Sequence, residues 1–232
     1  MKQPAPTIID SVRSLMPTRT LSILGRSLTE AEARIVAERQ VAKLLELLGI
    51  TKPSVDIELI AELPDIEIEV IANLPLSGSS DWIRNHWHIH INADDSLWRC
   101  RSTLAHELKH ILDDPFREEL YPDWPRESTL PPPDRAEKIC DYFAGCVLAP
   151  TAWLKDAWQQ GTRDSAKLAS LFDVSEALIR VRLYQTGLAA QRLRSYPRRT
   201  YTRSPAALVR AARKRFTHEH MKHHLMGAQP CM

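Results

Sequence analysis

Residues 101–112 read Arg-Ser-Thr-Leu-Ala-His-Glu-Leu-Lys-His-Ile-Leu. Leu104, Leu108, Ile111 and Leu112 recur at helical spacing, which predicts a helix over 99–112 with one apolar face. His106 and His110 stand four apart on it. Four residues are about one turn, so both imidazoles project from the same face. That spacing lets two ring nitrogens reach one Zn²⁺ at about 2.0–2.1 Å. Glu107 lies a step round the helix, beside such an ion, where it can take a proton from an attacking water.

HExxH alone arises by chance, and zinc in a hydrolase usually takes three protein ligands. A third ligand is therefore sought. Glu137 is the candidate, in Glu137-Lys-Ile-Cys-Asp141 on a helix predicted from Asp134 to about Leu148. Glu137 and Asp141 are four apart and share a face, so the Glu can complete a metal shell. Asp141 can then accept the free ring N–H of a ligand histidine and fix its tautomer. The alternative is local. Asp134-Arg-Ala-Glu137 also fits a capping box, with Asp134 as cap. Asp141 is otherwise a surface acid or an ion-pair partner. Asp114, Glu118 and Glu119 are rivals placed in an irregular stretch or too near the second histidine.

Around these helices the chain reads as mixed α/β. Residues 66–71 (IEIEVI) and 86–91 (HWHIHI) alternate in polarity and predict two half-buried strands, with a turn over Pro75–Ser80 between them. Ser27 or Thr29 can cap a helix that runs through Val36, Val41, Leu44 and Leu48 and stops at Gly49. A further helix follows Pro53-Ser54 and breaks at Pro64. Residues 113–134 hold several prolines and read as an irregular loop. A short helix over 151–160 follows, then a helix pair at 165–172 and 175–186. Residues 1–26 show no clear periodicity and read as a loose leader.

Composition narrows the class. With 232 residues, 44% hydrophobic and 26% charged, the chain is long enough to bury a core without disulfides. Its four cysteines show no CxxC. No apolar run suits a signal peptide or a membrane span, so a cytoplasmic setting with no membrane partner is expected. From position 191 onward, ten Lys+Arg face one acid, Glu219, against an overall charge of +2. This basic, His-rich tail (191–232) reads as disordered. Direct nucleic-acid binding through its phosphate attraction is a weaker reading than a solvated extension.

The paired motifs resemble those of the ImmA/IrrE-type zinc metallopeptidases. Their R-x-x-x-A-H-E-x-x-H helix corresponds to Arg101–His110. Their E-x-x-A-(N/D)-x-F-A-x-x-L-L-x-P helix corresponds to Glu137–Pro150. The resemblance spans about residues 30–190. It implies a compact zincin-like α/β (α+β) fold over 27–190, with a small sheet, the HExxH helix and a closing helix-turn-helix-like pair. It also implies one zinc held by His106, His110 and Glu137, with Glu107 catalytic and Asp141 orienting a ligand histidine. Several members act on a DNA-binding repressor, so a protein substrate such as a helix-turn-helix repressor is implied. Lys109 stands where the family usually has Gly, and Cys140 where it usually has Ala; neither is expected to touch the metal shell.

Two features stay open on the residues alone. His86, His88 and His90 share one strand face. His88 or His90 could donate to an oxyanion, or the strand edge could pair with a peptide; the bland reading is a solvated polar face. The pair at 165–186 carries Arg180 and Arg182 on its second helix, but Leu178, Ile179, Val181 and Leu183 leave little polar face for DNA. The functional expectation is a zinc-dependent endopeptidase. The alternative is a non-catalytic zinc-containing regulator that binds a repressor or DNA.

Overall fold

The computed structural model describes residues 6–124 and 132–189. The basic tail, and part of the Pro-rich stretch that follows Trp124, lie outside the described residues. Three strands make the sheet: β1 (Ile66–Ile71), β2 (Gly78–Ile83) and β3 (His86–Asn92). Their order is β1-β3-β2, with β1 parallel and β2 antiparallel to β3. The HExxH helix follows directly as α4 (Leu97–Asp113), capped by Ser96, whose side chain accepts from the Arg99 amide.

β2 departs from the expected turn over 75–80. Its opening Gly-Ser-Ser-Asp run carries turn residues and no apolar alternation, so it does not announce a strand. Pairing supplies what propensity lacks: Trp82 lies opposite Trp87, with ring centroids 5.2 Å apart. Insertion of β2 also makes β3 the central strand. Both of its edges are satisfied, so the expectation of a peptide pairing along 86–91 is corrected.

Gly78 shows how closely β2 lies against α4. A Cβ there would collide with Thr103 Cγ2, come within 2.6 Å of the His90 carbonyl oxygen, and sit 3.6 Å from Glu107 Cγ. The bare glycine lets the strand pass beside the residue next to the first histidine.

Helix α6 (Asp134–Leu148) packs alongside α4, and α3 (Glu30–Leu47) packs on α6. Thr29 caps α3 in a capping box with Glu32. Ile89 and Ile91 of β3, Leu104, Leu108 and Ile111 of α4, and Phe143 and Val147 of α6 belong to one core. Truncating a fully buried member such as Leu108 to Ala costs about 2–5 kcal/mol. The stretch Ile57–Glu62 is a 3₁₀ helix rather than a longer helix.

The leader is not loose where it is described. Thr7 and Asp10 form a capping box for α1 (Ile8–Arg13), and α2 (Thr18–Leu24) follows. Ile9 and Val12 enter the main core; Met16 and Leu21 join Leu120, Tyr121 and Ala136 in a second one. Arg13 Nη2 donates to the Ile111 carbonyl at 2.7 Å, satisfying a carbonyl in the last turn of α4. Helices of six and seven residues hold too few turns to show periodicity.

After α6 come α7 (Thr151–Gln159), α8 (Ser165–Phe172) and α9 (Glu176–Gln185). Arg182 of α9 is fully buried. Its guanidinium donates to the Ala149 carbonyl at 3.2 Å, to Thr151 Oγ1 at 2.8 Å and to Gln185 Oε1 at 2.9 Å. Gly145 makes room for it, since a Cβ there would stand 2.9 Å from Arg182 Cδ. Arg180 is paired with Glu176. The pair thus packs on the domain with one arginine enclosed. Among the described residues no helix is long and apolar enough to cross a membrane.

Candidate metal centre

The centre lies where α4 and α6 run side by side. His106 and His110 project from one turn of α4, their Nε2 atoms 3.1 Å apart. Glu137, in the first turn of α6, brings Oε1 to 3.2 Å from His110 Nε2 and Oε2 to 3.6 Å from His106 Nε2. The capping-box alternative for Glu137 does not hold. The N-cap of α6 is Pro133, with no side-chain cap hydrogen bond.

Asp141 follows one turn later on α6. Its Oδ1 accepts from His106 Nδ1 at 2.8 Å, which leaves Nε2 pointing at His110 and Glu137. Glu107 is buried on α4 and turns toward the sheet, where Ser80 Oγ donates to its Oε2 at 3.1 Å. The structure therefore brings His106, His110, Glu137 and Asp141 together, with Glu107 alongside.

Charge balance follows from burial and contact. Burial opposes the His106 cation, but hydrogen bonds to Asp141 and Glu137 outweigh it and raise its pKa from 6.5 to about 10. Burial alone would raise Glu137; its bonds to His106 and His110 hold it well below the ordinary carboxylate range. Asp81 on β2 is raised, first by burial and then by the nearby Glu107 charge.

Sequence reasoning missed three neighbours. His106, His110 and Cys140 offer ligand atoms that all lie within 4.8 Å of one another, a group that could hold a metal ion. Cys140 is thus close to the shell it was expected not to touch. Its position three residues after Glu137, on the same helix face, is the signal that would have found it. Trp124 stands edge-on to His110 with ring centroids 6.3 Å apart, and Arg117 lies over its ring at 4.3 Å. Lys109 is only 2% exposed and is paired with Asp113, while its Nζ donates to Gln40 Oε1 at 3.0 Å. Tyr121 OH donates to Asp113 Oδ2 at 3.0 Å. This buried network fastens the stretch leading to Trp124 onto α4, and that stretch is a 3₁₀ turn (Asp114–Phe116) and a short helix α5 (Arg117–Leu120) where an irregular loop was expected.

His88 and His90 are placed elsewhere. Their ring nitrogens face Glu67 at 3.4 Å, Glu69 at 3.4 Å and Ser79 Oγ at 3.2 Å. Those partners belong to the sheet, not to the centre. Nor is the face simply solvated, because His90 is buried and its pKa is lowered by burial and by His88.

The donor set fits a borderline metal such as zinc: two imidazoles, a carboxylate and a thiol. Tetrahedral zinc sets neighbouring ligand atoms about 3.3–3.6 Å apart. The nitrogen and oxygen separations of 3.1, 3.2 and 3.6 Å bracket that range.

Three comparisons complete the picture. A comparison with curated proteins finds no match. A solved structure of a Mycobacterium tuberculosis transcriptional regulator aligns at 18% identity with a TM-score of 0.48, over 77% of this chain and 52% of that one. This chain thus spans about half the length of that regulator. The family model of the IrrE N-terminal-like domain, peptidase M78, matches residues 65–184. That span runs from β1 into the last turn of α9, covers more than half of the chain and contains the whole centre, so the protein belongs to the ImmA/IrrE-type peptidase M78 family.

Proposed function

We propose that the protein is a zinc-dependent endopeptidase whose substrate is another protein, a helix-turn-helix repressor being the class that the family resemblance implies. One observation carries the reading. Glu107 is a buried carboxylate held by Ser80 beside the two-histidine and Glu137 set, rather than among its members. A purely structural metal site has no need of such a base.

His106, His110 and Glu137 would hold the ion. When bound, zinc supplies a Lewis acid that lowers the pKa of water and polarises the scissile carbonyl. Asp141 accepts the Nδ1 proton of His106, fixing the tautomer that offers Nε2. Glu107 takes the proton of the attacking water and later delivers it to the leaving amine nitrogen. Ser80 donates to Glu107 Oε2 and so aims its other oxygen. Trp124 borders His110 and screens that side of the centre.

The test compares the zinc-loaded chain with its Glu107→Gln variant on a native protein extract, reading new protein N-termini. New termini with the parent and none with a zinc-retaining variant are expected. Cleavage that persists in that variant would overturn the mechanism.

A second reading, a regulator that binds without cleaving, draws on the placement of Cys140. With a thiolate on the ion, no position is left for water.

A further inference from the structure

We propose that Cys140 is a fourth protein ligand of the metal centre, and that its sulfur and the attacking water compete for one coordination position. The inference rests on the two-histidine and Glu137 centre described above.

The geometry comes from two helices. α4 presents His106 and His110; α6 presents Glu137, Cys140 and Asp141 at relative positions 0, 3 and 4, which share one face. The ligand atoms of His106, His110 and Cys140 lie within 4.8 Å of one another. A tetrahedral zinc with sulfur at about 2.3 Å and nitrogen at about 2.0–2.1 Å sets sulfur and nitrogen about 3.6 Å apart. The sulfur therefore stands within about 1.2 Å of that separation from either histidine nitrogen. Its thiol is free of any disulfide and 1% exposed, so the centre is a partner within its reach.

The composition decides the consequence. Structural zinc sites have four protein ligands, whereas catalytic ones have three and keep one place open. His106, His110, Glu137 and Cys140 together make a filled set. In the resting chain Cys140 sulfur forms its bond to the ion as its S–H bond breaks. The proton leaves to solvent, and the water previously on the ion departs. The reverse exchange, with Cys140 reprotonated and water returned, opens the centre for hydrolysis. The two forms exchange, so Cys140 lowers the share of chains open to water without closing the centre altogether and without altering Glu107 or the other ligands.

The test uses the full chain loaded with Co²⁺. Cobalt bound to a thiolate gives an intense near-ultraviolet charge-transfer band that nitrogen and oxygen ligands alone do not give. Parent, Cys140→Ser and Cys231→Ser chains are compared, the last to remove the cysteine of the His-rich tail. About one cobalt per chain in all three, with the band lost only in Cys140→Ser, is the expected result. One cobalt per chain without the band, or a band that survives Cys140→Ser made in the Cys231→Ser background, overturns the fourth ligand and leaves the two-histidine and Glu137 reading standing. A parent chain that takes up no cobalt overturns both. Should Cys140→Ser fail to fold, zinc-edge X-ray absorption on the Cys231→Ser chain decides. One sulfur neighbour at about 2.3 Å supports the inference, and a shell of nitrogen and oxygen alone overturns it.

Discussion

Asp141 reaches a buried histidine from the solvent: its carboxylate is 76% exposed, yet Oδ1 lies 2.8 Å from Nδ1 of His106, whose side chain is 3% exposed. The bond crosses from α6 to α4 and fixes the ring that faces Glu137. An outer partner of this kind sets ring orientation and ligand basicity without touching the ion. Asp141→Asn keeps the shape and removes the negative charge. Zinc affinity should fall about 10–100-fold, the range usual for such partners, as read by competition with a chelator. An unchanged affinity would mean that packing alone holds His106.

The metal-free chain should carry a pH signature of the same contacts. The pKa of His106 is 6.5 unfolded and about 10 folded, so protonation favours the folded state. That contribution is fully present below 6.5 and is lost as pH rises toward about 10. Glu137 works in the opposite sense. Its folded pKa is depressed, so its contribution is present above 4.5 and is lost as pH falls below that value. Urea midpoints with chelator present should be highest near pH 5–6 and should decline on both sides. Asp141→Asn should flatten the alkaline decline. A parent profile flat from pH 6 to 10 would show that the pair contributes nothing.

Gly78→Ala tests the approach of β2 to α4. The new Cβ meets Thr103 Cγ2 and the His90 carbonyl oxygen at once, so strand and helix must separate. Overpacking of this kind costs about 1–3 kcal/mol. Ser80 leaves Glu107 with the displaced strand, so cleavage should fall while zinc content stays near one per chain. Denaturation midpoints and metal analysis on the same sample separate the two effects.

Lys109 tests the enclosed charge. Lys109→Met leaves Asp113 buried without its cation and should cost about 3–5 kcal/mol in urea unfolding. Lys109→Met combined with Asp113→Asn should recover part of that loss, because no lone charge then remains inside. A double variant as weak as the sum of the singles would point to packing rather than charge.

The contrast between α4 and β2 shows what was legible in the sequence. Long helices with repeating apolar positions announced themselves, and so did the histidine spacing and the pairing of Glu137 with Asp141 one turn apart. β2 did not, because its Gly-Ser-Ser-Asp start is shaped by its neighbours: Gly78 by Thr103 and Glu107, and Trp82 by Trp87. α1 and α2 are too short for periodicity to build. Lys109 and Arg182 look like surface residues by type, and only the acceptors brought by distant segments allow them inside. His88 and His90 share one face of β3, as their alternation implies. Which face that was depended on a third strand the local pattern did not disclose.

Arg182 bears on whether the closing helices are an exchangeable cassette. Removing α8 and α9 would strip the Ala149 carbonyl of its donor and leave a void beside Gly145, at the far end of the helix that carries Glu137. A graft of a true DNA-reading pair at residue 165 would need a replacement for that guanidinium before it could be tolerated. The two-helix end is therefore a keystone of this domain rather than a detachable accessory, and shuffling it among related chains should fail wherever the arginine and the glycine do not travel together.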